Sequence, residues 1–222
     1  MGWLLKFLVK LVIYFIGFSL LAVILFRFVP VPYTATMAMD ENGATKDWES
    51  LASTDRDMVR AVIAAEDGKF CSHDGFDREA IMKAAAENAR GGRIRGGSTI
   101  SQQTAKNVFL WQGGGYVRKG LEAWFTFLIE NIWGKRRIME VYLNVAETGI
   151  GTYGVEAGAQ RYFNHSADNL SPTEAARMAA ALPQPKQRSV ANPSGWLRRH
   201  GNTIAARIGV VQRDALDACV YE

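Results

Sequence analysis

An uncharged apolar run near the N-terminus constrains this chain more than any other feature. Residues 11–26 contain no charged side chain, and the run extends to Val29 if Arg27 is tolerated at its edge. As a helix it measures about 28 Å at ~1.5 Å per residue, close to the thickness of a bilayer core. It exceeds the ~7 to 15 residues of a signal-peptide core, and no Ala-x-Ala site follows it. A buried core helix is the other alternative, and we predict an uncleaved transmembrane helix at residues 11–29.

The charges that flank this run predict its orientation. Lys6 and Lys10 precede it, whereas residues 30–45 contain no lysine or arginine. By the positive-inside rule, residues 1–10 are cytoplasmic and the rest of the chain faces the outside. We interpret residues 30–47 as a juxtamembrane linker and residues 48–222 as one catalytic domain.

The remaining residues show helical periodicity and almost no strand signals. Helix starts are predicted at Thr54 or Asp55, at Asp77, at Ser98 or Thr99, and at Ser171, which precedes proline and lies three residues before a glutamate. No sustained alternation of apolar and polar residues occurs. The sequence therefore predicts a mainly α domain. Residues 91–97, which combine four glycines with Arg93 and Arg95, are typical of a flap over a site.

The net charge of +4 is concentrated in basic clusters. Such clusters usually form a solvated face, and nucleic acid is the alternative partner. The predicted anchor argues against nucleic acid and favours anionic lipid head groups or lipid-linked phosphates.

The two cysteines, Cys71 and Cys219, allow at most one disulfide, and the inferred compartment permits it. Because Cys71 lies inside an acidic motif and Cys219 near the C-terminus, we predict two unpaired thiols. The three histidines are scattered and do not suggest zinc.

Two glutamates are candidates for acid–base chemistry, which a glycosyl reaction requires. Glu66 ends an apolar-periodic helix and is followed by a polar turn rich in glycine. Glu122 shares a helix face with Arg118, one turn earlier. A solvated surface carboxylate is the common alternative for both.

Four motifs stand in order along the chain. They are Glu66-Asp67-x-x-Phe70-x-x-His73-x-Gly75, Gly97-Ser98-Thr99-Ile100-x-Gln102-Gln103, Arg118-Lys119-x-x-Glu122 and Lys135-x-x-Ile138-x-x-x-Tyr142-Leu143-Asn144. Over about residues 48–195 the chain resembles the peptidoglycan glycosyltransferases of family 51, which polymerise lipid II. The resemblance implies a lysozyme-like helical domain with a smaller membrane-proximal lobe.

The same resemblance implies roles for individual residues. Glu66 would be the general base that deprotonates the acceptor N-acetylglucosamine 4-hydroxyl, which attacks C1 of the donor N-acetylmuramic acid with inversion as undecaprenyl pyrophosphate leaves. Glu122 would be the second acidic residue of the catalytic pair, near the pyrophosphate, where it would hold a divalent cation, Mg²⁺ or Mn²⁺, or orient the basic residues. No other cofactor is implied. The donor's pyrophosphate would be bound by Lys106, Arg118 and Lys119, with Ser98, Thr99, Gln102 and Gln103 as polar neighbours. His73 is interpreted as structural.

The chain departs from the family pattern at Gly114, where many relatives carry an arginine. The Ser-x-x-Lys and Lys-Thr-Gly motifs of penicillin-binding transpeptidases do not occur, so the chain resembles the monofunctional branch, which β-lactams should not acylate.

We expect lipid II, the growing lipid-linked glycan, the membrane and other cell-wall synthesis proteins as partners, and not nucleic acid. The expected location is the bacterial inner membrane, with a periplasmic catalytic domain. The alternatives are a lysozyme-like hydrolase or lytic transglycosylase that uses Glu66 as an acid, and a non-catalytic membrane-anchored scaffold.

Overall fold

A computed structural model describes residues 2–91 and 97–221 of the chain, and these residues are mainly helical. The helices are α1 Gly2–Phe28, α2 Ala35–Ala38, α3 Arg56–Glu66, α4 Arg78–Ala89, α5 Ile100–Phe109, α6 Tyr116–Ile132, α7 Gly134–Val145, α8 Val155–Phe163, α9 Pro172–Ala181, α10 Gly195–Arg213 and α11 Ala218–Tyr221. The mainly α prediction is confirmed. Residues 92–96, with most of the predicted flap and both Arg93 and Arg95, lie outside the described residues.

The predicted helix starts are confirmed by their caps. The Asp55 carboxylate accepts a hydrogen bond from the Asp57 amide at the start of α3. Thr99 with Gln102 and Ser171 with Glu174 form reciprocal capping boxes at the starts of α5 and α9. Each box satisfies amide groups that have no partner within the helix.

A small three-stranded sheet lies beside the helices. Its strands are β1 Thr45–Lys46, β2 Glu147–Gly149 and β3 Thr152–Tyr153, in the order β1-β3-β2. Strand β1 pairs with β3 in parallel, so part of the predicted linker, residues 30–47, is folded onto the domain. Strands β1 and β3 have two residues each and are too short to produce an alternating pattern in the sequence.

Helix α1 is long and apolar enough to cross a membrane, by its length and composition. It begins at Gly2, before the predicted span, and its C-terminal part packs on the domain. The indole nitrogen of Trp133 donates to the Val23 carbonyl at 2.7 Å, and Arg137 donates to the carbonyls of Phe26 and Val29 at 2.9 and 2.7 Å. These hydrogen bonds join the end of the apolar helix directly to α7 and the residue before it.

The prediction of two unpaired thiols is wrong, because Cys71 and Cys219 form a disulfide across 148 residues. Cys71 lies in the 3-10 turn Phe70–Ser72, which follows α3. The C-terminal segment is docked beside this turn by other contacts. Val220 of α11 is fully buried, and Arg60 Nε binds the carboxylate of Asp217, the residue before α11, at 3.0 Å. The spacing of the two cysteines in the sequence does not indicate these tertiary contacts.

Removing the disulfide by the double substitution Cys71→Ser and Cys219→Ser should lower the free energy of unfolding by about 2 to 5 kcal/mol, because the bond closes a long loop in the unfolded chain. Urea denaturation of the detergent-solubilised protein measures this change. Wild-type protein reduced with dithiothreitol serves as the control and should show a similar loss. Equal stability of the oxidised and fully reduced proteins would contradict the prediction.

Candidate active site

A cleft of about 430 Å³ brings together eight of the nine residues that were predicted to form the site. Its lining contains both glutamates, Glu66 and Glu122, together with Ser98, Gln102, Gln103, Lys106, Arg118 and Lys119. The ninth residue, Thr99, lines an adjoining cavity of about 170 Å³ that shares Glu66 and Ser98 with the cleft. Residues from α3, α5 and α6, which are distant in sequence, therefore meet at one place.

Glu66 is the last residue of α3, and its carboxylate is held from the side of α5. Gln103 Nε2 donates to Glu66 Oε2 at 2.8 Å, and the buried Tyr142 hydroxyl donates to Gln103 Oε1 at 3.4 Å. Burial raises the pKa of Glu66, against the opposing effects of the Gln103 hydrogen bond and the charges of Arg188 and Lys106. A carboxylate with a raised pKa is better matched to accepting a proton near neutral pH.

Arg188 contributes to the electrostatic environment of Glu66, although the sequence motifs did not predict it. Its guanidinium donates to the Ala180 carbonyl at 2.7 Å and lies 4.5 Å from the Trp196 ring centre. From there its charge lowers the pKa of Glu66. It follows α9 in a stretch without a recognisable spacing, so the sequence carries no signal for it.

The turn after Glu66 is fixed by a buried carboxylate and a histidine. Asp67 accepts from the Ile100 amide at 3.0 Å and binds His73 Nε2 at 3.0 Å, while the Gly75 amide donates to His73 Nδ1 at 3.1 Å. Because Nδ1 accepts from the Gly75 amide, Nε2 is the ring nitrogen that donates to Asp67. His73 therefore helps to hold the end of α3 against the start of α5, as its structural interpretation requires.

Gly75 completes this turn because a larger residue does not fit. Its φ is +88°, and a Cβ atom would lie 2.8 Å from Thr126 Cγ2 and 2.9 Å from Glu130 Cγ. Its carbonyl accepts from the Thr99 hydroxyl at 2.7 Å. The hydroxyl of Thr99 is thus used to join α5 to the turn.

The other end of the cleft is strongly basic. Glu122 is 2% exposed, and its carboxylate is bound by Arg118 Nη1 at 2.7 Å and by Lys119 Nζ. Lys119 Nζ also donates to the Ser98 hydroxyl at 3.2 Å. Burial lowers the pKa of Lys106, which the charges of Glu122 and Glu66 oppose. Three cationic side chains therefore lie near a single carboxylate, and their excess positive charge suits an anionic ligand.

The described residues around Glu122 do not fit a metal ion. Both of its carboxylate oxygens are already bound by cationic side chains. No group of three or more His, Cys, Asp or Glu side chains that could hold a metal is found among the residues that the structure describes. Orientation of the basic residues is the role that these contacts favour for Glu122.

Gly114, the departure from the family pattern, adopts a backbone conformation that favours glycine. Its φ is +81°, and a Cβ atom would lie 3.1 Å from Arg118 Cβ and 3.2 Å from Arg118 Cδ. The Arg118 side chain thus lies beside the position of the missing arginine, and its Nε atom is buried without a hydrogen-bond partner in the described part of the chain.

Comparison with known proteins finds relatives that match most of this chain. Residues 34–208 match the family model described as Transglycosylase. A biosynthetic peptidoglycan transglycosylase of Caulobacter vibrioides is 53% identical over 202 residues, covering 90% of this chain and 88% of the relative. Proteins of the same name from Bdellovibrio bacteriovorus and Xanthomonas axonopodis pv. citri are 46% and 47% identical, over 98% and 95% of this chain and 90% and 87% of their own lengths.

Proposed function

Because this chain belongs to the transglycosylase family and is a peptidoglycan glycosyltransferase, we propose that its cleft joins lipid II units by direct attack of one sugar on another. The observation that carries this mechanism is the arrangement of the cleft, in which one carboxylate of raised pKa faces a cluster of three cations. The carboxylate accepts the proton of the attacking hydroxyl, and the cations neutralise the charge of the leaving pyrophosphate.

In the proposed step, Glu66 removes the proton from the 4-hydroxyl of the acceptor N-acetylglucosamine. The oxygen forms a bond to C1 of the donor N-acetylmuramic acid as the bond from C1 to the phosphate oxygen breaks. The electron pair leaves with undecaprenyl pyrophosphate, and the configuration at C1 inverts. Gln103 keeps the Glu66 carboxylate oriented through the 2.8 Å hydrogen bond.

The leaving group explains why the cleft is basic. A pyrophosphate is already a stable anion, so its departure requires charge neutralisation more than a proton. Lys106, Arg118 and Lys119 supply the charge, and the Glu122 carboxylate holds two of these side chains in place. A hydrolase that protonates a sugar oxygen has no comparable need for three cations, which favours the transferase over the lysozyme-like alternative.

We place the enzyme at the bacterial inner membrane, with α1 as its anchor. Lys6 and Lys10 near the start of α1 favour a cytoplasmic N-terminus and a periplasmic catalytic domain. The hydrogen bonds from Trp133 and Arg137 to the end of α1 would keep the cleft close to the membrane that contains the lipid-linked substrate.

One assay distinguishes the three candidate functions. Purified full-length protein is incubated with labelled lipid II and, separately, with preformed glycan. The proposal requires polymer from lipid II. Soluble muropeptides from preformed glycan without polymer would instead identify a hydrolase or lytic transglycosylase, and no product in either reaction would favour a scaffold.

The polymerisation rate should depend on pH with two limbs. It should rise as Glu66 loses its proton, at a pH above the usual range for glutamate because its pKa is raised. It should fall as Lys106 loses its proton, at a pH below the usual range for lysine because its pKa is lowered. Initial rates measured across the pH range with saturating and limiting lipid II check both limbs.

The substitution Lys106→Arg tests the assignment of the alkaline limb. Arginine stays protonated to about pH 12 or above, so this limb should move to higher pH while the acidic limb remains in place. An alkaline limb at the same pH in both proteins would show that another group titrates.

A further inference from the structure

A second cavity, of about 460 Å³, lies beyond the catalytic cleft on the side of the juxtamembrane residues. It is lined by Asp40 from the segment after α2, by Glu147 and Tyr153 of the small sheet, and by Lys186 after α9. We call the cavity around these four residues the outer pocket. Nothing in the proposed transfer step uses it.

The outer pocket is continuous with the catalytic cleft. A cavity of about 150 Å³ lies between them. It shares Gln103, Lys106 and Pro183 with the cleft, and Gln112, Glu147 and Pro185 with the outer pocket. A groove therefore leads from the catalytic Glu66 past Lys106 to Glu147.

Asp40 is a fixed carboxylate in the wall of the outer pocket. Its side chain is 1% exposed and accepts from the Tyr153 hydroxyl at 2.7 Å, the Lys186 ammonium at 2.9 Å and the Asn42 amide at 3.0 Å. These hydrogen bonds hold the pKa of Asp40 well below its usual range, although burial opposes them. Asp40 is therefore a hydrogen-bonded carboxylate with a lowered pKa, and it positions Lys186.

Glu147 differs from Asp40 because its charge is incompletely compensated. Its nearest cation is the same Lys186, whose Nζ lies 3.6 Å from Glu147 Oε1. Oε1 is buried and has no hydrogen-bond partner within the described residues. Burial raises the pKa of Glu147, although the Lys186 charge and a hydrogen bond from the Gly151 backbone oppose this effect. One lysine thus pairs with two carboxylates, and with both carboxylates ionised these three side chains have a net charge of −1.

The excess of negative charge in the outer pocket favours a cationic ligand. A buried carboxylate that lacks a full partner is stabilised by a second cation with hydrogen-bond donors. Lys186 is 47% exposed and already binds Asp40 at 2.9 Å, so a small movement of its Nζ away from Glu147 leaves Oε1 to another ammonium while the bond to Asp40 is kept. The pocket then contains two carboxylates and two cations.

We propose that the outer pocket binds a primary ammonium group of the peptide that lipid II carries on its muramic acid, with Glu147 as the acceptor. The proposal rests on the proposed function, which places the donor's pyrophosphate at Lys106. The muramic acid is bonded to that pyrophosphate, and the groove leads from Lys106 to Glu147. A three-residue peptide extends about 10 Å, at roughly 3.3 Å per residue, so a side-chain amine along it can enter the groove.

The test compares two forms of one substrate. Lipid II with a free side-chain amine in its peptide is compared with the same lipid II after acetylation of that amine, and kcat/KM for polymerisation is measured with full-length protein. Wild-type protein should prefer the free amine by about tenfold to a hundredfold, as expected for one charge-assisted hydrogen bond.

Three variants connect this preference to the outer pocket. Glu147→Gln should reduce it to near unity, and Lys186→Met, which removes the competing ammonium, should increase it. Glu41→Gln makes the same chemical change at an exposed residue outside the pocket lining and should retain the wild-type preference.

The outcomes separate this inference from the proposed function. Equal use of both substrates by wild-type protein, or an unchanged preference in Glu147→Gln, would overturn the inference while polymer still forms. Absence of polymer from both substrates with wild-type protein would overturn the proposed function itself.

Discussion

Replacing Glu66 by glutamine is expected to lower the rate of glycan polymerisation by about 10²- to 10⁴-fold, the contribution typical of a general base. Glutamine has nearly the same shape, and its amide oxygen can still accept the hydrogen bond from Gln103 Nε2. It cannot take the proton from the attacking hydroxyl. Initial rates with labelled lipid II measure the loss, and thermal unfolding followed by circular dichroism shows whether the fold is preserved.

The shorter acid in Glu66→Asp provides the matched comparison. It keeps the carboxylate but withdraws it by one methylene from Gln103, so an intermediate rate is expected. If Glu66→Gln polymerised lipid II as fast as the wild type, Glu66 would not be the base. A loss of activity that followed a loss of folded protein would likewise remove the support for its catalytic role.

The helices were predictable from the sequence because their start signals are local. The capping boxes of Thr99 with Gln102 and of Ser171 with Glu174 each involve residues three apart. A cap of this kind acts within one turn and is readable without knowledge of the fold. The same locality explains why the boundaries of α5 and α9 follow the predictions closely.

The contacts that join distant segments were not predictable in the same way. The disulfide joins Cys71 to Cys219 because α11 docks beside the turn that contains Cys71, and only the folded chain brings them together. Strand β1 pairs with β3 across more than a hundred residues through two residue pairs. Such short elements leave no periodic pattern, so residues 30–47 had the composition of a linker.

For the site, the ordered motifs indicated which residues would meet but not how they would bond. Eight of the nine predicted residues line one cleft. The motifs did not show that one oxygen of Glu122 is bound by Arg118 and the other by Lys119. They also did not show that the Thr99 hydroxyl is bonded to the Gly75 carbonyl. Side-chain pairing depends on rotamers and distances that spacing does not specify.

Replacing Lys106 by methionine should lower kcat/KM for lipid II by about 10²- to 10³-fold, the size of effect seen when one preorganised electrostatic group is removed. Lys106 lines both the cleft that contains Glu66 and the groove beyond it, where the pyrophosphate charge would need neutralisation. Methionine keeps much of the length of the side chain and removes its charge. Inorganic pyrophosphate should also inhibit the variant less strongly than the wild type, which gives a second readout at the same site.

The stability of this variant separates an electrostatic role from a structural one. Because burial lowers the pKa of Lys106, its ammonium is less favourable in the folded protein than in the unfolded chain below that pKa. Lys106→Met should therefore unfold at the same or a higher urea concentration than the wild type while losing activity. The exposed Lys83→Met on α4 is the matched control and should retain both activity and sensitivity to pyrophosphate. If Lys106→Met lost activity only in proportion to lost stability, or bound pyrophosphate as the wild type does, Lys106 would not be the group that neutralises the leaving phosphate.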